Sequence, residues 1–134
     1  MARMPEDVKQ TLEKQKPVPI ATASKNGVPN VVFIGLLKIL DDERLLIADN
    51  FFNKTAANLQ ENPKMSIVCY NSETKKSFQI KGSVEVHRSG PIYEDMVKWV
   101  HGVNPKLPAK AAVLFKVEEI YNAMWGPGAG ERIV

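Results

Sequence analysis

Cysteine is almost missing from this chain: Cys69 is the only one among 134 residues. A lone thiol excludes an internal disulfide, and with only His87 and His101 beside it the chain makes a poor zinc set. Neither histidine has a Ser or Cys near it in a nucleophile pattern, so no hydrolytic constellation is visible. The opening Met-Ala-Arg-Met-Pro-Glu-Asp lacks an apolar h-region, which argues against a secretory signal. No run of about 18 apolar residues occurs, so no helical membrane span is expected. Charge of one sign is also scarce. The 18 basic and 15 acidic residues give a net charge of only +3. Without an Arg-rich patch or a recognition module, nucleic acid is not an expected partner. The expected setting is cytoplasmic.

What is present is an ordinary globular composition, 44% apolar and 25% charged. The length suits one domain spanning 1–134. Pro5 to Lys14 predicts a short helix, with Glu6 and Asp7 at its positive end and Val8 and Leu12 one turn apart. Val18 to Ser24 predicts a strand, and Lys25-Asn26-Gly27 a hairpin turn with positive φ at both central residues. Val28 to Leu40 predicts one further strand, interrupted at Gly35 by a bulge or a close backbone approach. Its Val31-Val32-Phe33-Ile34 run is apolar on both faces, which predicts burial.

Strands are also expected over Arg44–Asp49, Met65–Tyr70, Ser77–Arg88 (with a bulge at Gly82) and Ala111–Tyr121. Helices are expected from Asn53 to about Glu61 and from about Ile92 to His101. Cys69 is expected to be a buried structural thiol. His101 is expected to satisfy a helix C-terminus, and His87 to cap a solvent-facing strand position. Six strands, mostly joined by hairpins, with helices that do not alternate with them, argue a mainly β (α+β) fold. The expected form is a six-stranded antiparallel split β-barrel with peripheral helices.

The stretch Ala48-Asp49-Asn50-Phe51-Phe52-Asn53-Lys54-Thr55-Ala56-Ala57-Asn58-Leu59 concentrates the chemistry. It reads as a strand end, a turn and a helix start. Asn53 suits the N-cap, and Lys54 and Asn58 would share one face a turn apart. A helix start offers unpaired N–H groups and the positive end of the macrodipole, so it attracts phosphate. Lys54 adds a cation there and Thr55 a neutral donor. An ordinary capped surface helix is the competing reading.

An ordered set of segments then carries a family likeness. Pro17-Val-Pro-Ile-Ala-Thr-Ala-Ser-Lys-Asn-Gly-Val-Pro-Asn30 resembles the opening hairpin of the pyridoxamine 5′-phosphate oxidase-like split-barrel flavoproteins. Leu37-Lys38-Ile39-Leu40-Asp41 follows, then Leu46-Ile47-Ala48-Asp49, then Lys54-Thr55-x-x-Asn58-Leu59-x-x-Asn62-Pro63-Lys64. Phe78-Gln79-Ile80-Lys81-Gly82-Ser83-Val84-Glu85-Val86 completes it. The likeness is greatest to the short FMN-binding members.

The resemblance implies a homodimer with one FMN per subunit near the interface, and redox chemistry that belongs to the flavin. It implies that Asn30, Val31, Val32, Phe33 and Ile34 lie along the isoalloxazine ring. Ala48, Asp49 and Asn50 would edge the ring, and Lys54, Thr55 and Asn58 would take the ribityl phosphate. Gln79 would supply a polar contact. The family reading of the glycine-rich tail brings Trp125 onto the ring; the bland reading is a frayed end. The second strand has no Arg beside the lone cation Lys54. One phosphate-bearing cofactor is therefore expected, not a cofactor together with a phosphorylated vitamin B6 substrate. An oxidoreductase or electron-transfer protein is the resulting expectation, with an unknown electron donor or substrate. Haem-binding and deazaflavin-dependent relatives on the same barrel, a pyridoxamine 5′-phosphate oxidase-type enzyme, or an interaction module without a cofactor are the alternatives.

Overall fold

A computed structural model describes residues 2–134. Its elements run α1 (Glu6–Lys14), β1 (Val18–Ala23), β2 (Pro29–Ile34), β3 (Leu37–Ile39), β4 (Arg44–Asp49), α2 (Lys54–Glu61), β5 (Lys64–Asn71), β6 (Lys76–His87), α3 (Pro91–Val103) and β7 (Ala111–Asn122). All neighbouring strands are antiparallel, in the order β2-β1-β5-β6-β7-β4-β3. The two edges of this sheet, β2 and β3, are consecutive in the chain with only Gly35 and Leu36 between them. Two residues cannot span a flat seven-stranded sheet, whose strands are about 4.8 Å apart. The sheet must therefore curl until its edges meet, which makes the barrel, and the unpaired seam between β2 and β3 is its split.

The barrel has seven strands, not the six expected. The segment 28–40 divides at Gly35-Leu36, where the carbonyl of Leu36 accepts from the N–H of Ala48 and the chain passes from one edge to the other. The hairpin before β2 also differs from expectation. Only Gly27 takes a positive φ, +85°. The turn is wider than two residues, because the N–H of Val28 reaches back to Ser24 Oγ at 3.0 Å.

Ile20, Leu45, Ile47, Ile67, Ile80, Phe115 and Ile120 fill the barrel and are fully buried. Met4, Val8 and Leu12, from α1 and the segment before it, join the same cluster, so α1 lies over the barrel's interior. Truncating one of these large side chains to Ala typically costs about 2–5 kcal/mol. β4 is apolar on both faces because it has two partners. Leu45 and Ile47 face the barrel, while Leu46 and Ala48 pack with Met96 and Val100 of α3 and with Ala112.

At Gly82 the pairing of β6 with β7 shifts register. A Cβ there would lie 2.1 Å from the carbonyl oxygen of Lys116. The backbones meet so closely that only glycine is accommodated.

Of the apolar run of β2 only Ile34 is buried as expected. Val31 and Phe33 are 69% and 70% exposed. β2 is an edge strand, and the outer face it shares with Pro19, Ala21, Val68 and Tyr70 is uncovered in the single chain. The tail is not frayed either. The N–H of Asn122 donates to Glu131 O, that of Gly130 to Asn122 O, and that of Ile133 to Ile120 O. Residues 131–134 thus fold back along the end of β7, and the loop between carries Trp125 at 76% exposure.

Candidate functional site

A cavity of about 510 Å³ opens at the seam. The end of β2 forms one wall through Val32, Phe33 and Ile34, continuing into Gly35 and Leu36. Ala48 at the end of β4, the turn Asn50–Asn53 and the first residues of α2, Lys54 and Thr55, form the other. Leu107, from the loop between α3 and β7, closes one side.

The cavity offers two kinds of unclaimed backbone group. β2 pairs with β1 on one side only, so the N–H and C=O groups of its other edge are free. At the helix start, Asn53 stands at the N-cap as expected, but its side chain makes no capping bond. The first N–H groups of α2 are therefore not claimed by a cap, and they retain the positive partial charge that draws anions. Lys54 is exposed beside them.

Lys54 and Asn58 stand one turn apart in α2 as expected, but Lys54 is exposed and Asn58 is buried, so the two do not act together on the cavity side. Asn58 is buried, as is Thr55 three residues earlier. Behind the cavity wall these two join Thr22 and Asn30 in a polar cluster. Asn30 Nδ2 lies 3.1 Å from Thr55 Oγ1 and 3.2 Å from Thr22 Oγ1, and Asn58 Nδ2 lies 3.0 Å from Thr22 Oγ1. Asn58 Oδ1 is buried with no partner.

Asp49 and Asn50 turn their side chains to architecture. Asp49 is buried, and its Oδ1 accepts from the N–H of Phe52 at 2.9 Å, with Lys110 Nζ 3.8 Å away. Lys110 Nζ in turn donates to Phe52 O at 3.1 Å. Asn50 Oδ1 accepts from the N–H of Ala109 at 2.9 Å, where Ala109 holds φ +47°. These bonds fix the 50–53 turn against the 107–110 loop.

Of the residues expected at the site, Val32, Phe33, Ile34, Ala48, Asn50, Lys54 and Thr55 line one cavity. Asn30, Asp49 and Asn58 stand behind its wall. Val31 and Gln79 do not belong to it. Side chains alternate along a strand, so they emerge on the outer sheet face, around a separate depression with Ser66 and Val68. Trp125 lines neither. Its loop lies beyond the Asn122 end of β7, whereas the cavity's turn is bound to the Ala111 end. Phe51, Phe52, Leu36 and Leu107 line the cavity without having been anticipated as contacts.

The histidines stay outside. His101 Nε2 is 2.9 Å from Leu107 O and His87 Nε2 is 3.3 Å from Glu85 Oε1, and neither ring lines the cavity. Cys69 is buried as expected, and burial pushes its thiol up to about 12. Among the described residues no helix is long and apolar enough to cross a membrane.

The sequence model of the pyridoxamine 5′-phosphate oxidase family matches residues 4–123. An uncharacterized protein of Methanocaldococcus jannaschii is 40% identical over 135 residues, covering 99% of this chain and 89% of that one. Among solved structures, HupZ of Group A Streptococcus superposes with a TM-score of 0.79 at 25% identity, over 95% of this chain and 99% of that one. An FMN-binding protein from Syntrophomonas wolfei superposes with a TM-score of 0.70 at 20% identity, over 88% and 84%.

Proposed function

From the chain's membership of the pyridoxamine 5′-phosphate oxidase family, we propose that residues 1–134 act as one FMN-binding split-barrel flavoprotein, an oxidoreductase or electron-transfer protein. The observation that carries this reading is the pairing, in one cavity, of a free strand edge with an uncapped helix start bearing Lys54 and Thr55. A planar heterocycle with polar edges suits the first, and a phosphate suits the second. The remaining wall, Val32, Phe51, Phe52 and Leu107, is apolar and excludes water from whatever lies along it. Bound FMN would supply reversible hydride or electron transfer at its ring.

In this reading, Lys54 and the α2 N–H groups hold the phosphate and the β2 edge holds the ring. Asn50 keeps its role in fixing the loop. The exposed outer face around Val31, Phe33, Val68 and Tyr70 is the surface for a second copy, giving a homodimer with the flavin near its interface. Gln79 and Trp125, which stand apart from their own cavity, would then meet the flavin of the partner. A cytoplasmic setting belongs to the same reading.

Absorbance of the purified protein tests the reading. Bands near those of free flavin, with FMN as the mass released on denaturation, are expected. A colourless protein that takes up no added FMN would sink it, a Soret band would favour the haem alternative, and a deazaflavin mass would keep the site but change the cofactor. Lys54→Ala should weaken FMN binding by about 1.5–3 kcal/mol, the range for a hydrogen bond to a charged group, and leave riboflavin binding unchanged.

A further inference from the structure

The cluster behind the helix start has an imbalance of hydrogens. Asn30 Nδ2 reaches both Thr55 Oγ1 and Thr22 Oγ1, and Asn58 Nδ2 also reaches Thr22 Oγ1. Each amide nitrogen carries two hydrogens and each hydroxyl one. One lone pair of Thr55 Oγ1 accepts from Asn30 Nδ2, which lies behind the wall. Among the described residues, the hydroxyl hydrogen of Thr55 has no acceptor. Thr55 is also a lining residue of the cavity and lies in the first turn of α2 beside Lys54. A buried donor without an acceptor is costly unless a ligand supplies one.

We infer that Asn30 is a positioning residue: by donating to Thr55 Oγ1 from behind, it turns the Thr55 hydroxyl outward, so that the helix start selects a phosphate monoester over the corresponding alcohol. The inference rests on the flavin reading above. Asn30 is not among the residues that line the cavity. Its backbone pairs with Thr22 in the β1–β2 ladder, and this fixes the amide at the right depth. Lys54 supplies charge to the same anion from the solvent side, but its long side chain is mobile in direction, whereas Thr55 and Asn30 are held by the wall. Charge would thus attract the anion, and the directed hydroxyl would distinguish an ester phosphate from a hydroxyl of the same ribityl chain.

Asn30→Asp keeps the shape of the side chain and replaces the donor by acceptors, but it also adds a negative charge, so the uncharged Asn30→Leu change, made with and without Thr55, decides the test. The Thr55 hydroxyl would then donate inward to the new carboxylate. Dissociation constants for FMN and for riboflavin are measured by flavin fluorescence on wild type, Asn30→Asp, Thr55→Val, Asn30→Leu and the Asn30→Leu/Thr55→Val double variant. Wild type is expected to prefer FMN. Asn30→Asp and Thr55→Val should each cut that preference about tenfold or more, mainly through weaker FMN binding. Asn30→Leu should cost FMN affinity in wild type and nothing further in the Thr55→Val background, which a merely structural role would not produce.

If Asn30→Asp keeps the wild-type preference, or if Asn30→Leu costs the same with and without Thr55, the inference is overturned while the flavin site stands. If wild type binds FMN and riboflavin equally, or neither, the phosphate reading of the helix start falls with it. Should Asn30→Leu fail to fold, Thr22→Val serves instead, because it removes the second anchor of the same amide and should reduce the preference in the same direction.

Discussion

The imidazole of His101 donates from Nε2 to the carbonyl oxygen of Leu107 at 2.9 Å, and the side chain of Leu107 is part of the cavity wall. A histidine at the end of α3 thereby holds a loop that reaches the site. His101→Ala removes one hydrogen bond from an exposed position, worth about 1 kcal/mol. Global stability should change little. Amide exchange at Leu107 and Ala109 should accelerate, and FMN should dissociate faster. Unchanged exchange in the 104–110 loop would show that Asn50 and Tyr93, which also bind it, hold it without His101.

Phe33 lines the cavity and is 70% exposed, on the same face of β2 as Val31. Phe33→Asp places a charge at the centre of the proposed contact between copies. Sedimentation equilibrium should show dimer association weakened by about 2 kcal/mol or more, with far-ultraviolet circular dichroism unchanged. An unaltered mass would assign the second copy to another surface.

Cys69 lies inside the barrel, and its thiol remains protonated far above neutral pH. Thiol-specific reagents at pH 8 should leave the folded protein unlabelled and react once with the protein in denaturant. Rapid labelling of the native state would mean that β5 opens locally on the timescale of the reaction.

Asp42 ties the N-terminal segment down. Its carboxylate accepts from Lys9 Nζ at 2.7 Å and from Arg3, and the Lys9 hydrogen bond holds its carboxyl below the usual aspartate value. A carboxyl lowered by folding stabilises the native state above its ordinary pKa of 3.8 and loses that contribution as the pH falls through the folded value. Asp42→Asn should therefore melt slightly lower than wild type at pH 7. The two curves should converge as the pH falls below 3.8. A difference that persists at low pH would point to lost packing in place of lost charge pairing.

The sequence disclosed this fold unevenly, for physical reasons. The strand at Arg44–Asp49 and the Gly82 bulge are legible because a short apolar run after an acidic turn and a glycine inside a strand are local signals. Val31 and Phe33 are exposed where burial is expected, because the sequence does not distinguish an apolar face packed into the barrel from one left uncovered. Thr55 and Asn58 were recognised, but their shared inward face depends on how α2 seats against β1 and β2. Leu107 was invisible because its position follows from a loop anchored by Asn50, 57 residues earlier, and such an anchor has no local signature. Gln79 and Trp125 stand apart from the cavity because which face β6 turns to it, and where the tail folds, are set by the packing of distant elements.

Gly82 bears on how substitutions in this chain should be interpreted. With the carbonyl of Lys116 2.1 Å from where a Cβ would stand, and the ring of Phe115 just beyond it, even alanine forces two backbones apart. A saturation library selected for folding alone, with no flavin and no activity required, should return a single letter at position 82. Lys54 should accept many letters under the same selection and few once FMN retention is demanded. Intolerance at 82 would then be geometry and intolerance at 54 chemistry, and comparing the two selections tells them apart.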